Sequence, residues 1–371
     1  MNNYHHYYGN TGYNPNVSAY AEYGGVPNLN NFDFEEYNRK LEIQKEKDAV
    51  KKMSNRIGLA LVLFQIIIPV LSVVLIIPLI FNGGIDLSKY SYNDPFGSSL
   101  SIIDPVTLYL LNGVLCLIGF LFVGIMITRT NHVRLDETIF IKRTNIADTV
   151  KIVVSGMGVV FVFNVLLALM NFHLSLFGFE NNMPDYGEVK GLTGGLLYFV
   201  AVAVVPPIIE EFVFRGAILG TVRKFYGDTL AITVSAVLFG FAHANFIQTP
   251  VTFLTGLVLG WITIKTGSIV PAMLLHFLNN SIAVITQLIQ YNTGNETLFN
   301  IFDISVSGIF LIIGLLCAIS LIRKHGNKLF VFERKESKLT FSQQLKAVFT
   351  APWMIVFTII TLLTCLTAAS M

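Results

Sequence analysis

The sequence predicts an all-α membrane protein, a polytopic transmembrane helix bundle of about eight or nine spans with a cytosolic N-terminus. Two observations support this fold class. The 371-residue chain is 53% hydrophobic but only 13% charged, and that charged share is about half of what soluble domains carry. Its apolar runs also come close to the roughly 20 residues that a helix needs to cross a bilayer. Helices satisfy their own backbone polar groups in lipid, so such runs favour spanning helices.

The chain begins with a polar region, 1–56, that is expected to be a cytosolic tail. Residues 1–31 are rich in Tyr, Asn and Gly, a composition that buries little aliphatic surface and is typical of disorder. Residues 32–56 are charged and helix-prone, which predicts a helix leading into the first span. The first fifty residues contain no apolar core of the kind that a signal peptide needs.

Nine apolar segments follow the tail, and hydropathy makes each a candidate span. The fifth and sixth are short and closely joined. The expected domains are N-terminal transmembrane helices in 57–172, a core in 193–290 and C-terminal helices in 304–371. The nine segments lie near 57–81, 106–128, 150–172, 193–214, 229–246, 250–265, 269–290, 304–322 and 352–369.

Lysine and arginine predict the orientation of the bundle. With the N-terminus in the cytosol, 23 of the 25 basic residues fall on the cytosolic side, and only Lys89 and Lys190 fall outside. The positive-inside rule therefore favours this orientation, which leaves the C-terminus outside if the ninth segment spans. The three cysteines, Cys116, Cys317 and Cys365, lie in separate apolar runs. They are expected to be packing residues, since they lack disulfide or zinc-ligand spacing.

Three polar clusters interrupt the apolar segments of the core: EEFVFR, FGFAH and HFLNN. Ionisable residues inside a membrane are functional-site candidates because burying them is costly. In the first cluster, Glu211 and Arg215 have the four-residue spacing of a helical ion pair, which predicts a structural pair. Glu210 points about 100° away on the same helix and is the candidate general base. Pro206 and Pro207 lack N–H groups, so they should leave helix carbonyls available to other partners.

The spacing of the clusters predicts that they meet at one depth. Glu210 and His243 lie equally far from a turn at Tyr226–Gly227, so an antiparallel helix pair brings them level. His276 lies nine residues past Gly267, which is about 13 Å of helix. If the fourth helix continues a few turns past the membrane beyond Arg215, all three clusters reach a similar depth. The site should then lie in the inner-leaflet half of the membrane, within reach of cytosolic water.

The residue types suit peptide hydrolysis. A glutamate and a histidine can polarise a water molecule, whereas His276 and Asn280, which share a helix face, can donate hydrogen bonds to an oxyanion. The sequence has no G-x-S-x-G motif and no cysteine placed near a histidine as a nucleophile. Direct attack by water is therefore favoured over an acyl-enzyme.

The three clusters, in this order, resemble the E-E-x-x-x-R, F-x-x-x-H and H-x-x-x-N/B motifs of the CAAX protease and bacteriocin-processing (CPBP, or Abi) family. That family of intramembrane proteases includes the type II CAAX prenyl endopeptidases. The resemblance covers about 193–290. The long N-terminal tail and the ninth apolar segment depart from the short family core.

The resemblance implies a role for each polar residue. Glu210 would activate the water together with His243, His276 and Asn280 would hold the oxyanion, and Glu211 with Arg215 would support the site. Members of the family are often labelled metalloproteases. Zinc is therefore an alternative, and its ligands would be Glu210, His243 and His276. Without H-E-x-x-H spacing, the prediction is that no metal or other cofactor is bound.

The expected partners are the lipid bilayer and a membrane-associated peptide or protein substrate, with or without a lipid anchor, and no nucleic acid. The absence of an organellar targeting signal favours the cell membrane of a prokaryote. Two other functions remain open. One is a non-enzymatic scaffold or bacteriocin-immunity protein with the same fold. The other is a transporter in which the same residues form a proton relay.

Overall fold

The fold is that of a computed structural model, and within the described residues it is helical without strands, which confirms the all-α prediction. The predicted disordered tail, 1–31, and most of the two predicted extracellular loops lie outside those residues. The described residues are 33–81, 104–139, 141–142, 145–176, 189 and 191–369.

Every one of the nine predicted segments is helical over most of its length. The helices are α1 (Phe34–Phe81), α2 (Pro105–Thr130), α3 (Leu135–Thr138), α4 (Ile146–Ser175), α5 (Gly191–Tyr226), α6 (Asp228–Ala242), α7 (Gln248–Thr266), α8 (Val270–Thr293), α9 (Glu296–His325), α10 (Phe341–Phe349) and α11 (Pro352–Ala369), with a 3₁₀ turn at Gly326–Phe330.

The number of spans is lower than the number of helices. Six helices of the described chain are long and apolar enough to cross a membrane, namely α1, α2, α4, α5, α8 and α9. Helices α10 and α11 count as a seventh if the pair, bent by 71°, is one span. Helix α6 has 15 residues, or about 22 Å, against a hydrocarbon core of about 30 Å. The predicted eight or nine spans and the cytosolic N-terminus are therefore not confirmed.

The chain divides into two compact units at Lys47. In the first unit, the predicted charged helix is present. At its start, the Glu36 N–H donates to Asp33 Oδ1 over 2.9 Å. An exposed ion pair joins Lys40 to Glu36 on the same helix.

The second unit contains the bundle, and small residues let its helices approach closely. A Cβ atom added to Gly314 of α9 would lie 2.9 Å from the carbonyl oxygen of Val154 in α4. A Cβ atom added to Gly58 of α1 would lie 2.5 Å from the backbone nitrogen of Met354 in α11. Glycines at such positions allow backbone contact between membrane helices. The ninth predicted segment therefore packs against the first.

Three of the segments predicted to be cytosolic, 129–151, 215–228 and 323–346, meet at one end of the bundle, here called the charged end. Lys224, in the last turn of α5, pairs with Glu137 of α3. Asp228 accepts hydrogen bonds from the Arg223 side chain over 2.7 Å and from the Glu333 N–H over 2.8 Å. These contacts join parts of the chain that the charge count places on one side of the membrane.

Candidate active site

Helix α5 is irregular on both sides of the Glu210–Glu211 pair. A π-helical segment, Val200–Val204, precedes the pair, and a second, Phe212–Ile218, follows it. Such π turns inside α-helices are frequent at functional sites. Pro206 and Pro207 lie one residue beyond the first π segment, after Val205, and neither residue can donate a backbone hydrogen bond.

The two prolines leave the Val202 carbonyl without a donor in its own helix. An α-helical bond to it would come from residue 206 and a π-helical bond from residue 207, and both are proline. The Asn280 side-chain amide of α8 donates to this carbonyl over 3.2 Å. The irregularity of α5 therefore provides an acceptor for the Asn280 side chain of the facing helix, α8. The freed carbonyl expected from the two prolines is present.

Glu211 and Arg215 form the ion pair expected from their spacing. Arg215 Nη1 donates to Glu211 Oε1 over 3.0 Å, and both side chains are fully buried. Arg215 Nη2 also donates to the Gly256 carbonyl of α7 over 3.3 Å. Its guanidinium carbon lies 4.3 Å from the ring centroid of Phe239 in α6. The arginine thereby joins α5 to both helices of the α6–α7 hairpin.

His276 lies between the two glutamates. Its Nδ1 donates to Glu211 Oε1 over 3.0 Å, and its Nε2 lies 3.9 Å from Glu210 Oε2. Because an ionised carboxylate only accepts, the Glu211 contact assigns a proton to Nδ1. Adjacent glutamates on one helix thus approach opposite nitrogens of one imidazole. The Glu211–His276 contact, across 65 residues of sequence, is absent from the sequence-based prediction.

Exposure distinguishes the two glutamates. The Glu210 side chain is 15% exposed, whereas the Glu211 side chain is sealed from solvent. Glu211 Oε2 and Arg215 Nε are buried without a hydrogen-bond partner among the described residues. An unmatched buried polar atom is costly. These unmatched atoms belong to the buried ion pair, whereas Glu210 is the accessible carboxylate.

His243 follows the last residue of α6 and is half-buried. Its Nδ1 lies 2.9 Å from the Phe239 carbonyl, and a carbonyl only accepts, so Nδ1 carries the proton. In a neutral ring, the Nε2 atom then holds the lone pair that a general base needs. The next residue, Ala244, has a positive φ of 46°, which turns the chain towards α7.

Phe239 links the three clusters. Its ring centroid lies 4.9 Å from that of His243 and 5.6 Å from that of His276, both near perpendicular. It also lies under the Arg215 guanidinium. The sequence motif includes Phe239, but no role was predicted for it. The four-residue spacing to His243 was the available signal, because it places both rings on one helix face.

The metal alternative fits this arrangement poorly. Among the described residues, no three His, Cys, Asp or Glu side chains are grouped so that they could hold a metal ion. Zinc needs several nitrogen or oxygen ligands at about 2.0–2.2 Å, and Glu210, His243 and His276 do not supply such a set here.

The fold and this cluster define a multi-pass membrane protein with a buried glutamate–histidine site. Residues 192–282 match the family described as "Type II CAAX prenyl endopeptidase Rce1-like". The match contains all three polar clusters, and it confirms the resemblance drawn from their motifs.

Two bacterial proteins are similar to part of the chain. "Membrane-embedded CAAX protease MroQ" of Staphylococcus aureus (strain USA300) is 29% identical over 100 residues, which are 25% of this chain and 40% of that protein. "Putative membrane peptidase YdiL" of Bacillus subtilis (strain 168) is 26% identical over 115 residues, 31% of this chain and 47% of that protein. The chain thus spans less than half the length of either relative. No solved structure matches it.

Proposed function

We propose that the protein is an intramembrane endopeptidase that hydrolyses a peptide bond near the cytosolic face of the membrane. One observation carries the proposal: the 3.9 Å approach of Glu210 Oε2 to His276 Nε2, with Glu211 on the opposite nitrogen of that imidazole. The similarity to proteins named as a membrane CAAX protease and a membrane peptidase supports the reaction class.

In the first step of the proposed reaction, water attacks the substrate carbonyl carbon. Glu210, assisted by the His243 Nε2 atom, takes a proton from that water as general base. Glu210 suits this role because it is the accessible carboxylate of the pair. The carbonyl double bond opens, and its oxygen becomes an oxyanion.

In the same step, His276 and Asn280 stabilise the oxyanion. The Asn280 amide has two N–H groups, and one is engaged by the Val202 carbonyl, so the other can donate to substrate. His276 donates from Nε2 when its ring is protonated. The positive charges of a protonated His276 ring and of Arg215 then equal the negative charges of the two glutamates. The cluster as a whole is neutral, which lowers the cost of burying it.

Collapse of the tetrahedral intermediate completes the reaction. The C–N bond breaks, and the proton held by Glu210 passes to the leaving nitrogen. The products are a carboxylate and an amine, and the hydroxyl that the carbonyl carbon gained comes from water. No step uses a metal.

The proposed substrate is a membrane-associated peptide or protein. Access would come from the charged end. On the other side of the site, α5 packs into an apolar cluster that includes Tyr109, Tyr198 and Val284. There the Tyr198 hydroxyl bonds to Gln287 Oε1. A peptide pheromone or bacteriocin precursor is proposed ahead of a prenylated tail, because both similar proteins are bacterial.

A comparison of membrane peptides from cells that produce wild-type or Glu210→Gln protein tests this function. The amide cannot accept the water proton, so precursors should accumulate and their products disappear in the variant. Glu336→Gln is the matched control, because Glu336 is exposed at the charged end. If wild-type and Glu210→Gln cells contain the same peptides, the peptidase proposal is wrong and a scaffold or immunity protein is favoured.

A further inference from the structure

A cavity of about 260 Å³ lies at the charged end of the bundle, and its described lining contains none of the candidate active-site residues. It opens between the start of α4, the end of α7 and the turn that follows α9. Four basic side chains line it: Lys142, Lys265, Lys328 and His325.

The cavity has an excess of positive charge. Asp148 is the acidic residue of its described lining. Both oxygens of that carboxylate are occupied, since Lys324 lies 2.7–2.8 Å from them and His325 Nε2 lies 3.3 Å from Oδ2. Among the described residues, Lys142 and Lys328 form no ion pair. The lysines therefore face a space whose only described anion is already neutralised.

Backbone contacts hold the cavity walls in place. The Lys265 ammonium donates to the carbonyls of Lys328 and Val331, and it lies 4.2 Å from the ring centroid of Phe332. The Lys142 N–H donates to the carbonyl of Gly267, the residue that follows α7, over 3.2 Å. These contacts connect the lysine-bearing segments to one another, so the lysines do not belong to a free tail.

The start of α4 adds polar groups that suit an anion. Asn145 precedes the helix, and its side-chain oxygen accepts the Asp148 N–H over 3.2 Å. Thr149 lies one turn into α4 and also lines the cavity. The N-terminus of a 30-residue helix carries positive partial charge, which adds to the charge of the lysines.

We propose that this cavity binds a phosphate-bearing anion. Phosphate oxygens accept charge-assisted hydrogen bonds from several ammonium groups at once. A cavity of this volume admits several waters, so it has room for a phosphate group. Basic pockets at the cytoplasmic ends of membrane helices take anionic lipid headgroups, and a soluble phosphate ester offers the same chemistry. The proposal is independent of the peptidase activity.

Thermal unfolding of the full chain in a neutral detergent tests the proposal and separates the two sources. Dihexanoyl phosphatidylglycerol is titrated in one arm and glycerol phosphate in the other, with dihexanoyl phosphatidylcholine as the zwitterionic reference. The phosphatidylglycerol arm should raise the Tm in a salt-sensitive manner. A response to that lipid alone identifies a bilayer headgroup, and a response to both anions identifies a soluble phosphate as sufficient.

Variants connect the response to the cavity. Lys142→Gln/Lys328→Gln should raise the half-saturating concentration about ten-fold or more, because each lysine near a charged surface contributes substantially to anion binding. Lys335→Gln/Lys346→Gln removes the same charge from the same end without touching the cavity. The Tm without ligand reports whether each variant is folded. The proposal is overturned if neither anion raises the Tm, or if both double variants respond alike.

Discussion

Glu211 accepts hydrogen bonds from Arg215 and His276 on a single oxygen, and this contact shapes the site at the scale of the residue. We expect Glu211→Gln to lower the free energy of unfolding by about 3–5 kcal/mol, because it leaves the Arg215 charge buried and unpaired. Chemical denaturation of the purified protein in detergent measures this loss.

The double variant Glu211→Gln/Arg215→Met is the control for that interpretation. Removal of both charges should recover part of the lost stability, since no unpaired ion then remains in the interior. The loss in free energy of unfolding of the double variant is compared with the sum of the losses of the two single variants. If the two are equal, the residues are not coupled and the structural role of Glu211 is contradicted.

Whether cleavage needs a bound metal depends on the ligands that individual residues supply at the site. The described side chains offer no group of three His, Cys, Asp or Glu residues that could hold a metal ion. We therefore expect cleavage to continue at an unchanged rate after dialysis against a chelator, measured on a peptide found by the cellular comparison. Loss of activity that one equivalent of zinc restores would contradict this expectation.

Local spacing predicts the contacts within one helix but not those between helices. Glu211–Arg215 and the freed Val202 carbonyl follow from residues four apart and from two adjacent prolines. The contact of Glu211 with His276 crosses 65 residues, and no pattern in one segment contains it. The position of Phe239 between Arg215 and His276 likewise depends on how α5, α6 and α8 pack.

At the scale of the element, the α4–α9 contact depends on glycine. We expect Gly314→Val to destabilise the fold by about 1–3 kcal/mol, because its Cβ would lie 2.9 Å from the Val154 carbonyl and the helices must separate. Gly308→Val in the same helix is the control, since a Cβ there meets nothing within 4 Å. Thermal unfolding of both variants compares them, and equal destabilisation would contradict the close contact.

Hydropathy predicts where helices occur better than it predicts which of them span. All nine predicted segments are helical, yet α6 is too short for the hydrocarbon core and α7 is interrupted by threonines. Their apolar residues pack against neighbouring helices: Leu238 and Ile262 are fully buried. An apolar run that serves a protein core looks like one that faces lipid, so sequence alone does not separate the two.

At the scale of the whole molecule, the charge count predicts which end faces the cytosol. With the native cysteines replaced by alanine, we expect Lys335→Cys to resist a membrane-impermeant maleimide in intact cells and to react once the cells are opened. Lys89→Cys, in a loop predicted to be extracellular, should react in intact cells. The reverse pattern would invert the proposed orientation and move the site to the outer leaflet.

The central claim is that Glu210 acts on water beside His243 and His276 to cleave a peptide bond. Its most direct test is the cleavage rate of one identified substrate by purified protein in liposomes, wild-type against Glu210→Gln. We expect kcat to fall at least about a hundred-fold, since general-base catalysis contributes at least that much, while the Tm stays near the wild-type value. Cleavage by Glu210→Gln at the wild-type rate would contradict the claim, as would a wild-type protein that moves a solute and cleaves nothing.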